Sequence, residues 1–414
     1  MFPSKKSRII PIKPSRELKP KSISEKTIFN SLKYFMTTLQ FLGILPQSNT
    51  NKSITEMHFE WISWRILYTL ILITCLIFAV GCCFMHWVMH GSTILQIGNG
   101  VFYGGSLVTM ILYLRLAMQW SKLMKSWCNI DKLMHINYGY PKCLDKRINI
   151  FTCIFLSLGL ADYILSVCSR LETLYALYGK NTTAKIYYND TFPQFFVYIP
   201  YTIPSGIFCT IMTLHSSLSW ALNDLFIIIT SCAIALRFQQ IYCRISLKMQ
   251  KHKGNCVLFW KEIREDYDRL ASFCKELDEH LSPIILLSFF LNIFFLLIQL
   301  YHSLEKIALI VRKVYFIFSF VYLIFKTSIV SLYAAWINDE SKSPTTILNS
   351  VDSSYYNVEI SRLLVQISFD KTTLTGCKMF SVKRGIILSV ASAIVTYELV
   401  LIQFSQANLY DIDS

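Results

Sequence analysis

Residues 195–236 read FFVYIPYTIPSGIFCTIMTLHSSLSWALNDLFIIITSCAIAL, an apolar run interrupted by one charge, Asp224. It is about twice the ~20 residues that a helix needs to cross a bilayer. Whether it forms one helix or two decides on which side every later segment lies. The middle of the run holds no Gly, Pro or charge pair on which the chain would turn. The basic stretch that follows settles the count: Arg237, Arg244, Lys248, Lys251, Lys253, Lys261, Arg264, Arg269 and Lys275. Cationic connections stay on the cytoplasmic side, and two spans would put this one outside. The expected arrangement is therefore one long helix that projects into the cytoplasm.

Working outward, further runs long enough to cross occur at Trp64–Phe84, Ile94–Trp120, Ile148–Leu174, Ile284–Tyr301, Val314–Ile337 and Ile386–Phe404. The chain is 53% hydrophobic and 16% charged, against roughly a quarter charged in soluble domains. These features predict an all-α membrane protein with seven transmembrane helices. Lys5, Lys6, Arg8, Lys13, Arg16, Lys19, Lys21, Lys26, Lys33 and Lys52 precede the first span, whereas His86–Thr93 after it has no Lys or Arg. The N-terminus is thus expected in the cytoplasm. Lys122, Lys125, Lys132, Lys142, Lys146 and Arg147 mark the second connection as cytoplasmic too.

Asn181-Thr182-Thr183 and Asn189-Asp190-Thr191 are N-glycosylation acceptors in the third connection, which the charge rule places outside. Asn51-Lys52-Ser53 falls on the cytoplasmic side and is expected to stay unmodified. Seven spans leave the C-terminus outside, opposite to a G-protein-coupled receptor. The expected divisions are a cytoplasmic region 1–63, disordered at its start, helices 1–4 over 64–236 and a cytoplasmic anchor 237–283. Helices 5–6 over 284–337, a cytoplasmic segment 338–385, a seventh helix 386–404 and an outer tail 405–414 complete them. The first span is expected to serve as insertion signal, since no signal-peptide pattern is read before it.

The +14 net charge follows topology and suits anionic lipid heads; it is not gathered for nucleic acid. Thirteen cysteines show no CxxC and no Cys/His ligand spacing, so no metal site is expected. Phosphate-loop, GxSxG and HExxH patterns are absent. Neither an enzyme nor a cofactor is expected.

The last span closes on Thr396-Tyr397-Glu398-Leu399-Val400-Leu401-Ile402-Gln403-Phe404. This string resembles the signature that ends the last helix of insect gustatory receptors, and Glu398 after Tyr397 resembles the sugar-receptor branch. Trp220, Asp224-Leu225-Phe226-Ile227, Arg237-Phe238, Trp260–Arg269, Ile284–Asn292, Asn338-Asp339-Glu340-Ser341 and Leu374-Thr375-Gly376 are similar to positions of that branch. Phe290-Leu291-Asn292 departs from its paired asparagines. The resemblance implies the insect chemoreceptor channel fold and a sugar-gated, non-selective cation channel in the plasma membrane of taste neurons. It further implies a homotetramer, or a heterotetramer with related subunits, in which four seventh helices surround one pore. Cytoplasmic segments would form an anchor, with no G protein required.

At 100° per residue, Gly385, Ser389, Ser392, Thr396, Val400 and Gln403 share one stripe of the seventh helix. Periodicity leaves two readings open, a pore wall or a small-residue packing face. The family placement favours the pore, with Gln403 and Phe404 at its outer end and Asp411 and Asp413 drawing cations to its mouth. Glu398 points away from the stripe, toward its own subunit. Lys326 lies within the sixth span, and either Glu398 or Asp224 is its expected partner.

A neutral sugar calls for hydrogen-bonding side chains beside aromatic planes. In the outer halves of the spans, Tyr103, Asp162, Arg170, Glu172, His215, Asn292, Gln299, Tyr315 and Tyr322 meet that description. Asp162 stands out, because a carboxylate at that depth is expensive unless paired or functional. An odorant-receptor-type channel is the alternative with the same architecture. A secondary transporter is disfavoured by the lack of an internal repeat or of matched broken helices.

Overall fold

The computed structural model describes residues 27–48, 54–91, 93–250, 257–303 and 308–410. In chain order the helices are α1 (Ile28–Phe41), α2 (Trp64–His90), α3 (Ile94–Tyr138), α4 (Leu144–Tyr178), α5 (Ala184–Thr191) and α6 (Pro193–Phe196). They continue with α7 (Ile203–Gln250), α8 (Val257–His302), α9 (Ile310–Lys342), α10 (Pro344–Leu348), α11 (Val358–Phe369) and α12 (Gly385–Tyr410). A two-stranded antiparallel hairpin, β1 (Thr375–Gly376) with β2 (Phe380–Ser381), precedes α12. Asn51, Asp411 and Asp413 lie outside the described residues.

Local chemistry sets the helix starts. Ser63 accepts from the Ile66 N–H to cap α2. Thr93 and Gln96 form a reciprocal capping box at the head of α3. Pro200 and Pro204 correct the opening expectation about the run 195–236: α6 ends at Phe196 and the long helix begins only at Ile203. Proline fits the first turn of a helix and disfavours a helical residue before it, so the two prolines divide the run near its outer end. From Ile203 the helix continues unbroken to Gln250.

Among the described residues six helices are long and apolar enough to cross a membrane: α2, α3, α4, α7, α8 and α9. A further apolar helix, α12, has 26 residues, of which Gly385–Val400 form a shorter apolar stretch. Helices α3, α7 and α8 hold 45, 48 and 46 residues. At 1.5 Å per residue each is about 70 Å long, more than twice the ~30 Å hydrocarbon layer. The remainder of each helix therefore extends well beyond it.

Helix α7 is the axis of the fold. Every residue from Ala221 to Phe238 is buried, the mark of a helix apolar all round and enclosed by others. Helices α3, α4, α8 and α9 pack around it. Phe226 meets Phe35, Tyr113 and Trp120 at ring separations of 6.1, 5.5 and 5.5 Å.

Helix α1 lies along the same axis. Its Ile28, Leu32, Phe35 and Leu39 form one buried stripe. Asp131 Oδ2 accepts from the Ile28 N–H at 2.8 Å, and at the other end His215 Nε2 donates to the Leu42 carbonyl at 2.9 Å. The helix thus rests on α4 and α3 and reaches α7 through Phe35, whose ring lies 6.1 Å from that of Phe226, and through the Leu42 carbonyl at His215.

The inner ends are bound by polar contacts. Arg237, 2% exposed, donates from Nε and Nη2 to Asp131 Oδ1 at 3.0 and 2.7 Å. Its Nη1 reaches the Gly139 carbonyl and Gln240 Oε1, and the guanidinium lies 5.6 Å over the Tyr140 ring. Arg264 pairs with Glu359 at 2.7 Å and Lys275 with Asp370 at 2.6 Å, binding α11 and its end to α8. The Arg264 guanidinium bonded to the Glu359 carboxyl holds it below the usual carboxylate range.

The hairpin fixes the base of α12. Asp278 on α8 accepts from the Thr375 N–H at 2.6 Å and from its hydroxyl at 2.7 Å. The Phe380 ring packs on Phe289 of α8. A Cβ at Gly376 would meet that ring at 2.4 Å, so the glycine is what lets the strands close. Arg384 pairs with Asp339 of α9. Beyond this base α12 leaves the body of the chain: Ile386, Val390, Ile394 and Tyr397 are half-buried, while Leu388, Val395, Leu399 and Val400 are exposed.

Candidate functional site

Helices α3, α4, α7, α8 and α9 part on one side to leave a cavity of about 710 Å³. This is the size range of small-molecule sites. Its depth can be read along the helices. Arg170 and Thr173 on α4 and Arg312 on α9 lie at the outer end, with Tyr187, Thr191, Phe192 and Gln194 of the α5–α6 segment. Gly159, Trp220, Ala221, Tyr322 and Lys326 close the inner end.

One wall is hydrogen-bonding. Asp162, Ser166 and Arg170 follow one another at four-residue spacing on α4, and Tyr315, Ser319, Tyr322 and Lys326 share a face of α9. The opposing wall brings Phe102, Tyr103, Trp220 and Phe295. Trp220 and Phe295 lie 4.8 Å apart, and Phe102 contacts both Tyr103 and Phe295. Tyr103 shares a hydrogen bond with Thr213 at 2.9 Å, and Gln299 donates to Ser319 at 3.2 Å. Asp162 Oδ1, the Tyr322 hydroxyl, Thr191 Oγ1 and Arg170 Nε are buried without hydrogen-bond partners.

Six of the nine sequence candidates come together here: Tyr103, Asp162, Arg170, Gln299, Tyr315 and Tyr322. Three are employed elsewhere. Glu172 accepts from the Val311 and Arg312 N–H groups at 3.1 and 2.9 Å, capping α9 from the end of α4. His215 turns to Leu42 on the α1 side of α7. Asn292 lies behind the inner end, accepting from Trp220 Nε1 at 3.1 Å and donating to Asp224. Each satisfies depth and polarity, but its side of the helix faces a neighbour. Arg170 is shared, because it also grips Asp190 of α5 through the carbonyl at 2.9 Å and the carboxylate at 3.0 Å.

The sequence reading missed Trp220 and Ser319 as cavity residues. Ser319 was marked by the face it shares with Tyr315, Tyr322 and Lys326. The partner of Lys326 is Asp224, at 3.1 Å. Glu398, expected to turn toward its own subunit, is exposed on α12, beyond the half-buried face that touches the chain.

On α12, Ser389, Ser392, Thr396, Val400 and Gln403 are all exposed, on a stripe turned from the half-buried face. The Thr396 hydroxyl donates to the Ser392 carbonyl and Ser389 to Gly385. The Phe404 side chain lies outside the described residues. Asn181 ends a 3-10 turn after α4 and Asn189 lies in α5, both exposed. Among the described residues no group of three or more His, Cys, Asp or Glu stands ready for a metal ion, and the twelve described cysteines are unpaired.

This arrangement is that of an insect chemoreceptor. The olfactory receptor OR5 of Machilis hrabei in complex with eugenol superposes with a TM-score of 0.64 at 14% identity, covering 91% of this chain and 98% of that one. A second structure of the same receptor superposes with a TM-score of 0.64 at 13% identity, covering 91% of this chain and 99% of that one. A family model described as trehalose receptor matches residues 13–411; the chain belongs to this gustatory receptor family. Among Drosophila melanogaster relatives, the gustatory receptor for sugar taste 64f is 29% identical over 408 residues, 96% of this chain and 86% of its own length. Gustatory receptor 5a for trehalose is 27% identical over 313 residues, 74% of this chain and 69% of its own length.

Proposed function

We propose that this protein is a sugar-gated, non-selective cation channel that works as a taste receptor in the plasma membrane of gustatory neurons. Four subunits, identical or related, place their α12 helices around one pore, with the N-terminus cytoplasmic and the C-terminus outside. A neutral sugar enters the cavity at its outer end, beside the α5–α6 segment. The observation that carries this reading is the cavity wall itself, in which unpartnered buried polar atoms face aromatic rings. A polyhydroxylated ligand supplies partners to Asp162, Tyr322 and Thr191 and lays its C–H faces on Trp220 and Phe295.

The test is a sugar-evoked current in cells that express this chain without a matching G protein. Asp162→Asn keeps the shape of the side chain and removes its charge. Half-maximal sugar concentration is expected to rise about tenfold, equivalent to about 1.4 kcal/mol, at unchanged surface expression. An odorant-activated, sugar-insensitive current would overturn the ligand class, and substrate uptake without current would overturn the channel.

A further inference from the structure

We infer that Lys326 is a specificity-determining residue of this cavity: its ammonium donates to an acceptor oxygen of the bound sugar while its partner Asp224 holds it from behind. The inference rests on the sugar reading of the site above.

Lys326 is 2% exposed and Asp224 fully buried, on α9 and α7 respectively. Breaking such a pair is severely destabilising, yet a well-packed apolar pair would fill the same space at little loss. Its location gives the charge a further use. The inner end of the cavity is bounded by Lys326, Trp220 and Tyr322. An ammonium has three N–H donors. Asp224 Oδ2 takes one at 3.1 Å, and the Trp220 ring, whose centroid is 3.4 Å from Nζ, takes the second by its negative face. The third remains for the cavity side, where the Tyr322 ring centroid lies 5.8 Å from Nζ.

Asp224 does not depend on Lys326 alone. The Ser288 hydroxyl donates to its Oδ1, and Asn292 Nδ2 approaches both oxygens at 3.4 and 3.3 Å, both from α8. The carboxylate therefore stays satisfied while the ammonium leans toward a ligand. Asp162, on the α4 wall, acts solely as an acceptor when ionised. A sugar lying across the cavity would donate to Asp162 at one point and accept from Lys326 at another. Selection then falls on sugars whose donor and acceptor oxygens match that separation, and deoxygenation at the accepting position is discriminated against.

The experiment measures currents evoked by sucrose, trehalose, maltose and glucose, with surface biotinylation in parallel. Four variants are compared with the wild type: K326R, D224K, the charge swap D224K/K326D and S288A. K326R is expected to change the ratio of half-maximal concentrations between at least two sugars threefold or more. The swap is expected to return to the surface protein that D224K alone loses, with responses weakened at least tenfold. S288A leaves the cavity boundary intact and gives Asp224 a firmer hold on Lys326. It is expected to re-rank the sugars, weakening most those that K326R affects.

Recovery of both surface protein and wild-type ranking in the swap would reduce the pair to a structural one and overturn the inference. A uniform shift of all sugars in K326R with no change in S288A would do the same. Should the charge variants be retained inside the cell, S288A decides alone, and an unchanged ranking overturns it. A wild-type chain that gives no sugar current removes the sugar reading of the site; a responding wild type with unaltered ranking in the variants removes only the role of Lys326.

Discussion

Helices α7 and α12 are both apolar, yet the first is buried at every residue from Ala221 to Phe238 and the second is half-buried on one face at most. Leu388 of α12 is 75% exposed. A helix enclosed by its own chain has its neighbours specified within one sequence. A helix with a polar stripe on one side and bare leucines on another is completed by something outside that chain, whether lipid or further subunits. Substitutions on α7 should therefore act on folding, and substitutions on α12 on assembly and permeation.

The largest effect is expected at the inner end of α7. Arg237→Ala strands Asp131 in a buried site, which costs about 3–5 kcal/mol and should remove nearly all protein from the cell surface in biotinylation assays. Normal surface levels would mean that α7 is less central than its burial indicates. Next, Thr396→Cys on the exposed stripe of α12 should give disulfide-linked dimers of the chain on mild oxidation, whereas Ile394→Cys on the half-buried face should not. Cross-linking at Ile394 instead would rotate the helix relative to the proposed pore.

A smaller, purely functional change is expected from Gln403→Ala, which should alter conductance, permeability ratios or resting leak by a few-fold at constant surface expression. Ile394→Ala should leave all three unchanged. The smallest effect belongs to the anchor. The Arg264 guanidinium holds the Glu359 carboxyl below its ordinary range. The stability it contributes is present above the ordinary glutamate pKa and is lost as pH falls through the depressed value. Glu359→Gln should lower the melting temperature of detergent-solubilised protein by only a degree or two at pH 7. It should also flatten the loss of stability on acidification.

Hydrophobic runs and basic connections were enough to read an all-α membrane protein with seven spans, because each transmembrane helix carries its own signal in about 20 consecutive residues. The helices outlast those signals. Helix α3 was expected to leave the apolar layer at Trp120 but continues to Tyr138, since Trp127 beyond the charges of Lys122 and Lys125 finds Phe273 on α8 at 5.2 Å. That partner is nearly 150 positions away and leaves no local trace.

The site was legible to the same limit. Depth and polarity are properties of one residue and its neighbours in sequence, and they led to Asp162, Tyr315 and Tyr322. Which way a side chain faces depends on helix packing, and this sent Glu172 to the head of α9, His215 to Leu42 and Asn292 behind Trp220. The choice between Asp224 and Glu398 for Lys326 was of the same kind, because each partner is remote in sequence.

The seating of α1 against α7 has a consequence for biosynthesis. Phe35 is made 191 residues before the Phe226 it rests on, and at about 5–20 residues per second the ribosome takes roughly 10–40 s to supply that partner. Through this interval the stripe of Ile28, Leu32, Phe35 and Leu39 lacks its α7 partner, although α3 and α4, on which α1 also rests, are made earlier. An amphipathic helix in that position settles at the membrane surface. Helix α1 is thus expected to wait on the lipid until α7 is made, so that slowing translation after α2 should lengthen its exposure to protease without changing the final fold.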